Sequence, residues 1–156
     1  TDTGWRKLPP GEAATVYEFN APHPRQLRGD VLVGTTVHLP LLQDYLGSEG
    51  QLEDPLAGTG ADFVFVAFPA SFLPEGNQTD ARAVVEEALE QALTEAQSGR
   101  LLGGALGQQN AYIDLLLFDG ARSLDLVAQV LRKQSLPAGT TIHYFAKEKR
   151  GQRVVL

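Results

Sequence analysis

Two stretches of helical periodicity, each set between stretches of strand periodicity, constrain this chain more than any other feature. In the first, Val84, Val85, Ala88, Leu89, Ala92, Leu93 and Ala96 recur at the offsets of one helical stripe, while Glu86, Glu87, Glu90 and Glu95 fall on other faces. Thr79 or Asp80 offers a side-chain oxygen to the orphan amides at the helix start. Ser98-Gly99 is expected to end the helix, because glycine accepts the left-handed conformation of a helix C-terminus. The second helix is read from about 121 to 134, with Leu124, Val127, Ala128 and Leu131 on its buried stripe. Asp119 is expected to cap it. Arg132 and Lys133 meet the negative end of its dipole, and Leu136-Pro137-Ala138-Gly139 breaks it.

Four apolar runs flank these helices, at 62–68, 100–106, 111–118 and 140–146, and the middle two are joined by Gly107-Gln108-Gln109-Asn110, a hairpin connection. The resulting order is β-α-β-β-α-β. That order predicts an α+β fold of the ferredoxin-like, or split β-α-β, kind: an antiparallel sheet with both helices on one face, each crossover right-handed. The name denotes a fold and implies no iron.

The core is expected over 61–156, ending in a C-terminal strand or tail, with residues 1–60 forming a β-rich elaboration packed on it, one structural domain in all. Residues 15–19 and 31–39 read as strands, 41–46 as a short helix and 50–60 as a surface loop rich in Gly, Pro, Asp and Glu. A detached N-terminal domain would have too few apolar residues for a core of its own.

The net charge of −6 disfavours wide phosphate neutralisation, so no nucleic-acid partner is expected and a basic partner suits the chain better than an acidic one. Lys147, Lys149, Arg150 and Arg153 are the exception, and read as a solvated strand end or hairpin. The absence of cysteine excludes disulfides, thiolate nucleophiles and Cys-ligated metal centres. The opening Thr1-Asp2-Thr3-Gly4-Trp5 lacks the marks of a signal peptide, and no run reaches the ~18 apolar residues of a membrane span. A soluble cytoplasmic protein with no membrane partner is therefore expected. Plentiful Leu, Ala, Gly and Arg with scarce Lys and Ile suggest a GC-rich bacterial source, so the sequon Asn77-Gln78-Thr79 is given no role.

Alternation places Ile113, Leu115 and Leu117 on one side of their strand and Tyr112, Asp114, Leu116 and Phe118 on the other. The aliphatic set belongs under the helices. The mixed set carries too much apolar surface to be left in water, so the N-terminal segment, a second copy or a partner should cover it. Asp114, in mid-sheet, needs a partner such as a cross-strand Arg, Lys or His, or it faces solvent at an interaction surface. Gly103, Gly104 and Gly107 mark a bulge or a close backbone approach. They leave either a shallow pocket beside Tyr112 and Asp114 or room for an aromatic ring from a neighbouring element.

Chemistry-bearing motifs are sparse. His23, His38 and His143 fit no metal-ligand spacing; His23 sits between two prolines in a loop, and His38 and His143 each read more simply as a hydrogen-bonded structural histidine. Gly58-Thr59-Gly60 precedes a strand instead of opening a helix, with no Walker lysine. The serines lack a nucleophile-elbow context, and Glu86-Glu87 and Glu53-Asp54 read as solvated surface pairs. No catalytic residue, metal or cofactor is assigned. Tyr112, Asp114, His143, Gly104 and His38 remain as candidate ligand or interface residues.

The run Gly103-Gly104-Ala105-Leu106-Gly107-Gln108-Gln109-Asn110-Ala111-Tyr112-Ile113-Asp114-Leu115, continuing to Asp119 and the second helix, resembles small uncharacterised bacterial ferredoxin-like proteins over about the last ninety residues. Some proteins of that kind look like immunity or accessory partners of larger proteins. The leading expectation is accordingly a non-catalytic binding protein acting by protein–protein contact, as an oligomer, accessory subunit or immunity-type partner. Alternatives are a small-molecule-sensing regulatory domain, which rests on fold analogy, and an enzyme built on Tyr112, Asp114 and His143 or His38.

Overall fold

A computed structural model of the chain describes residues 15–18, 31–36, 60–72, 78–107, 109–134, 136, 139–146 and 154–155. Along these run β1 (Thr15–Glu18), β2 (Val31–Thr36), β3 (Asp62–Pro69), α1 (Gln78–Glu95), β4 (Gly99–Gly107), β5 (Asn110–Leu117), α2 (Gly120–Lys133), β6 (Thr141–Tyr144) and β7 (Val154–Val155). The fold is α+β. All neighbouring strands pair antiparallel in one sheet of order β1-β2-β4-β5-β3-β6-β7. The expected helix at 41–46, the loop at 50–59, and His23 and His38 lie outside the described residues, as do Lys147, Lys149, Arg150 and Arg153.

Both helices lie on one face of the sheet. Val85, Leu89 and Leu93 of α1 and Val127 and Leu131 of α2 form a single cluster with Val64, Val66, Phe68, Ile113, Leu115, Leu117 and Ile142. Burying each large side chain contributes about 1.5–3 kcal/mol, so this layer supplies much of the driving force for the helices to dock. β3 and β5 are buried along nearly their whole length on both faces, which explains their almost unbroken apolar sequences.

On α1 the buried stripe differs from the apolar pattern. Val84 is 60% exposed, whereas Arg82 is buried in line with Val85, Leu89 and Leu93. Counting apolar residues alone therefore displaces the inward face by part of a turn.

The end of α1 also corrects an expectation. The left-handed residue is Gln97 (φ 52°), not Gly99. Gln97 N–H donates to Thr94 O at 3.1 Å and Ser98 N–H donates to Leu93 O at 2.8 Å, the paired bonds of a Schellman motif. Gly99 already belongs to β4, and glycine is needed there for closeness: a Cβ would stand 2.5 Å from Leu116 O.

Asp119 occupies the N-cap of α2 in an extended conformation, but its side chain makes no capping bond. Ser123 does part of that work. Its buried hydroxyl accepts from Asp119 N–H (3.2 Å) and donates to Ser98 O (2.7 Å). Ser98 O also accepts from Phe118 N–H at 2.8 Å, so one carbonyl fastens the end of α1, the exit of β5 and the entry of α2. After α2 the chain reverses through Gly139 (φ 93°), consistent with the expected break.

β4 carries a bulge. Leu101 pairs with Leu115 and Gly103 with Asp114, leaving Leu102 as the extra residue. At the N-terminal side, β2 pairs with β4 and β1 with β2, so the described part of the first sixty residues lengthens the sheet at that edge.

Candidate functional site

The sheet face away from the helices holds most of the residues that the sequence singles out. Phe65 stands at its centre on β3, paired in register with Asp114 on β5 and His143 on β6. The Phe65 ring meets Tyr112 edge-on at 5.9 Å and Phe145 edge-on at 4.9 Å, and it stacks on His143 at 5.2 Å with 21° between planes. Such aromatic pairs contribute about 0.5–1.5 kcal/mol beyond their burial.

Tyr112, Phe65, Leu116 and Phe145 are fully buried, and Asp114 is 1% exposed. This burial is achieved within one copy of the chain. The face that the sequence leaves open to a second copy or a partner is therefore closed, and Tyr112 and Asp114 are not surface residues. Asp114 is buried in mid-sheet, in register with Phe65. His143 is half-buried, with Nε2 2.6 Å from Thr141 Oγ1.

The arrangement separates Asp114 from His143. They occupy β5 and β6, on either side of β3, and two strand spacings set their backbones about 10 Å apart with Phe65 between them. Direct proton transfer between the two is not available in this geometry.

Gly104 is not part of this cluster. Because of the bulge at Leu102 it pairs with Ile113 and faces the helices. A Cβ there would lie 3.0 Å from Arg82 Nε and 3.1 Å from Glu86 Oε2. The gap is thus filled by two charged side chains of α1, neither an aromatic ring nor a pocket beside Tyr112.

Arg82 and Glu86 form the polar feature that apolar-pattern reading misses. Arg82 Nε–H donates to Glu86 Oε1 at 2.9 Å, with the side chains only 9% and 14% exposed. Burial raises the Glu86 pKa above its ordinary value. The Arg82 charge and hydrogen bond act in the opposite sense, and Asp114 and Glu90 push it further up. The signal present in the sequence is the i, i+4 Arg-Glu spacing on the inward stripe, facing a strand glycine.

The outer side of α1 is different in character. Glu87, Glu90, Gln91, Thr94 and Glu95 are exposed and together form a shallow, open acidic surface along the helix. Gln91 Nε2–H donates to Glu95 Oε1 at 3.2 Å, and among the described residues no ion pair engages Glu87 or Glu90. Val84 lies on the same helix, also exposed.

Among the described residues no three His, Asp or Glu side chains gather as a metal site, and no helix is long and apolar enough to cross a membrane. Comparison with protein-family models, curated proteins and solved structures gives no match to this chain.

Proposed function

We propose that this is a non-catalytic binding protein that acts by protein–protein contact, and that the outer face of α1 is the surface it presents. The observation that carries this reading is the exposed, shallow acidic surface of Glu87, Glu90, Gln91, Thr94 and Glu95. A protein with clustered Lys and Arg complements it, and the net charge of −6 acts in the same sense by steering a basic partner toward the chain. That partner belongs to the class of larger proteins that an accessory or immunity-type chain accompanies. The enzyme reading has less support, because β3 and Phe65 stand between Asp114 and His143.

We also infer that the four central strands and two helices constitute a ferredoxin-like unit. Support comes from the order β4-β5-β3-β6 with each helix linking two of these strands, and from the shared helix-side core.

The test is a triple charge reversal, Glu87→Lys, Glu90→Lys and Glu95→Lys. The wild-type chain should retain basic proteins of its native host on an affinity matrix, with retention weakening at high salt. The triple variant should lose that retention while keeping its circular dichroism spectrum. Equal retention of the same proteins by the folded variant refutes the assignment of α1.

A further inference from the structure

We propose that Arg82, Glu86 and Gly104 form a proton-sensitive latch that sets how firmly α1 is held against β4. The proposal concerns regulation of the docking face and rests on that reading for its biological meaning, since Glu87 and Glu90 share α1 with the latch.

The geometry is specific. Arg82 and Glu86 point inward from successive turns, joined at 2.9 Å, and their charged ends come within about 3 Å of the position a Cβ would take on Gly104. The pair keeps only 9% and 14% side-chain exposure with α1 seated, and gains full access to water when α1 lifts from the strand. The charged groups acting on Glu86 are Arg82 and Glu90 on α1 and Asp114 on β5. β4 offers only Gly103, Gly104 and Ala105 opposite this point, its Arg100 lying at the other end of the strand. On β3, Asp62 pairs with Leu117, three residues from Asp114, and the charged residues of α2, Arg122, Asp125, Arg132 and Lys133, are exposed.

Closing α1 thus takes most of the Glu86 side chain out of water, under the influence of two other carboxylates and one guanidinium. Burial outweighs the return from Arg82, so Glu86 holds a proton more readily with α1 seated than with α1 lifted. The sign follows from linkage. The seated state binds more protons, so it strengthens as pH falls from the raised Glu86 pKa toward the ordinary carboxylate range, and weakens as pH rises through that window. One proton sets the ceiling at about tenfold in the opening equilibrium per pH unit. The docking helix is therefore gripped most tightly under mild acidity.

Amide hydrogen exchange of the full chain from about pH 4, below the ordinary glutamate pKa, up to about pH 8, corrected for intrinsic rates, tests this. Opening at Val85, Leu89 and Leu93 should fall with decreasing pH by up to about tenfold per unit, while Val127 and Leu131 of α2 do not follow. Glu86→Gln should flatten the α1 response. The proposal is overturned if α1 and α2 move in step, or if Glu86→Gln retains the wild-type dependence. Should that variant not fold, the Glu86 carboxyl resonance in the wild type decides: a titration midpoint above the ordinary glutamate range supports the latch, and one within or below that range overturns it. None of these readouts involves a partner, so the latch and the docking face fail or stand separately.

Discussion

Gly99→Ala and Gly104→Ala add the same methyl group to the same strand, yet unequal losses are expected. At Gly99 the new Cβ would meet the Leu116 carbonyl oxygen at 2.5 Å and Leu93 Cδ2 at 3.3 Å. The nearest obstacle is backbone on the strand to which β4 is paired, so relief requires β4 and β5 to part where Gly99 faces Leu117. That movement also strains the bond from Phe118 N–H to Ser98 O. Overpacking of this kind costs about 1–3 kcal/mol, against a gain of about 0.4–1 kcal/mol from stiffening the unfolded chain. A net loss of about 1–2 kcal/mol is expected for Gly99→Ala, or a fall of about 2–8 °C in Tm for a chain of this size. At Gly104 the neighbours at 3.0–3.1 Å are two side-chain ends and the Tyr112 carbonyl, and the side chains can retreat. Its loss should stay below about 1 kcal/mol. Urea titrations of the two variants and the wild type, with m-values compared, supply the measurement. An unchanged midpoint for Gly99→Ala, or a larger loss at Gly104 than at Gly99, would refute the reasoning from close approach.

Arg82→Met should destabilise the fold by about 3–5 kcal/mol near neutral pH, because Glu86 is left buried without its counter-charge; the loss should shrink as acid protonates Glu86, which paired urea titrations at neutral and mildly acid pH would reveal. Ser123→Ala strips a buried hydroxyl from Asp119 N–H and Ser98 O and should cost about 1–3 kcal/mol in chemical denaturation, whereas Ser71→Ala, at an exposed position, serves as the near-neutral comparison. Leu89→Ala, at the fully buried centre of α1, should cost about 2–5 kcal/mol, while Val84→Ala on the exposed side should fall within about 0.5 kcal/mol of wild type by the same assay.

The central elements were legible in the sequence because each pattern has one physical cause. The apolar runs at β3 and β5 are long because both faces are buried, and the stripe of Val127 and Leu131 docks α2 where the period places it. Legibility failed where a local event changed the count. Leu102 adds a residue to β4, so alternation carried across it assigns Gly104 to the wrong face. Arg82 holds a core position that apolar counting passes over, while Val84, which the apolar stripe includes, is exposed. Composition points to Gly99 as the stop of α1, whereas Gln97 takes the left-handed conformation, supported by two backbone bonds that no composition rule reports. The residues on the far side of β5 were correctly grouped, but their closure within one copy depends on tertiary packing that strand alternation does not encode.

Strand pairing has no use for Leu102. With it deleted, Leu101 could still face Leu115 and Gly103 could still face Asp114, so the hydrogen-bonded frame of the sheet would read through unchanged. Yet Leu102 is only 2% exposed and stands apart from the helix-side cluster. It is an insertion kept for its volume, a plug delivered to the aromatic side of the sheet by a strand that counts one residue too many. A variant lacking this residue is expected to keep the same strand register and to lose the volume that Leu102 buries.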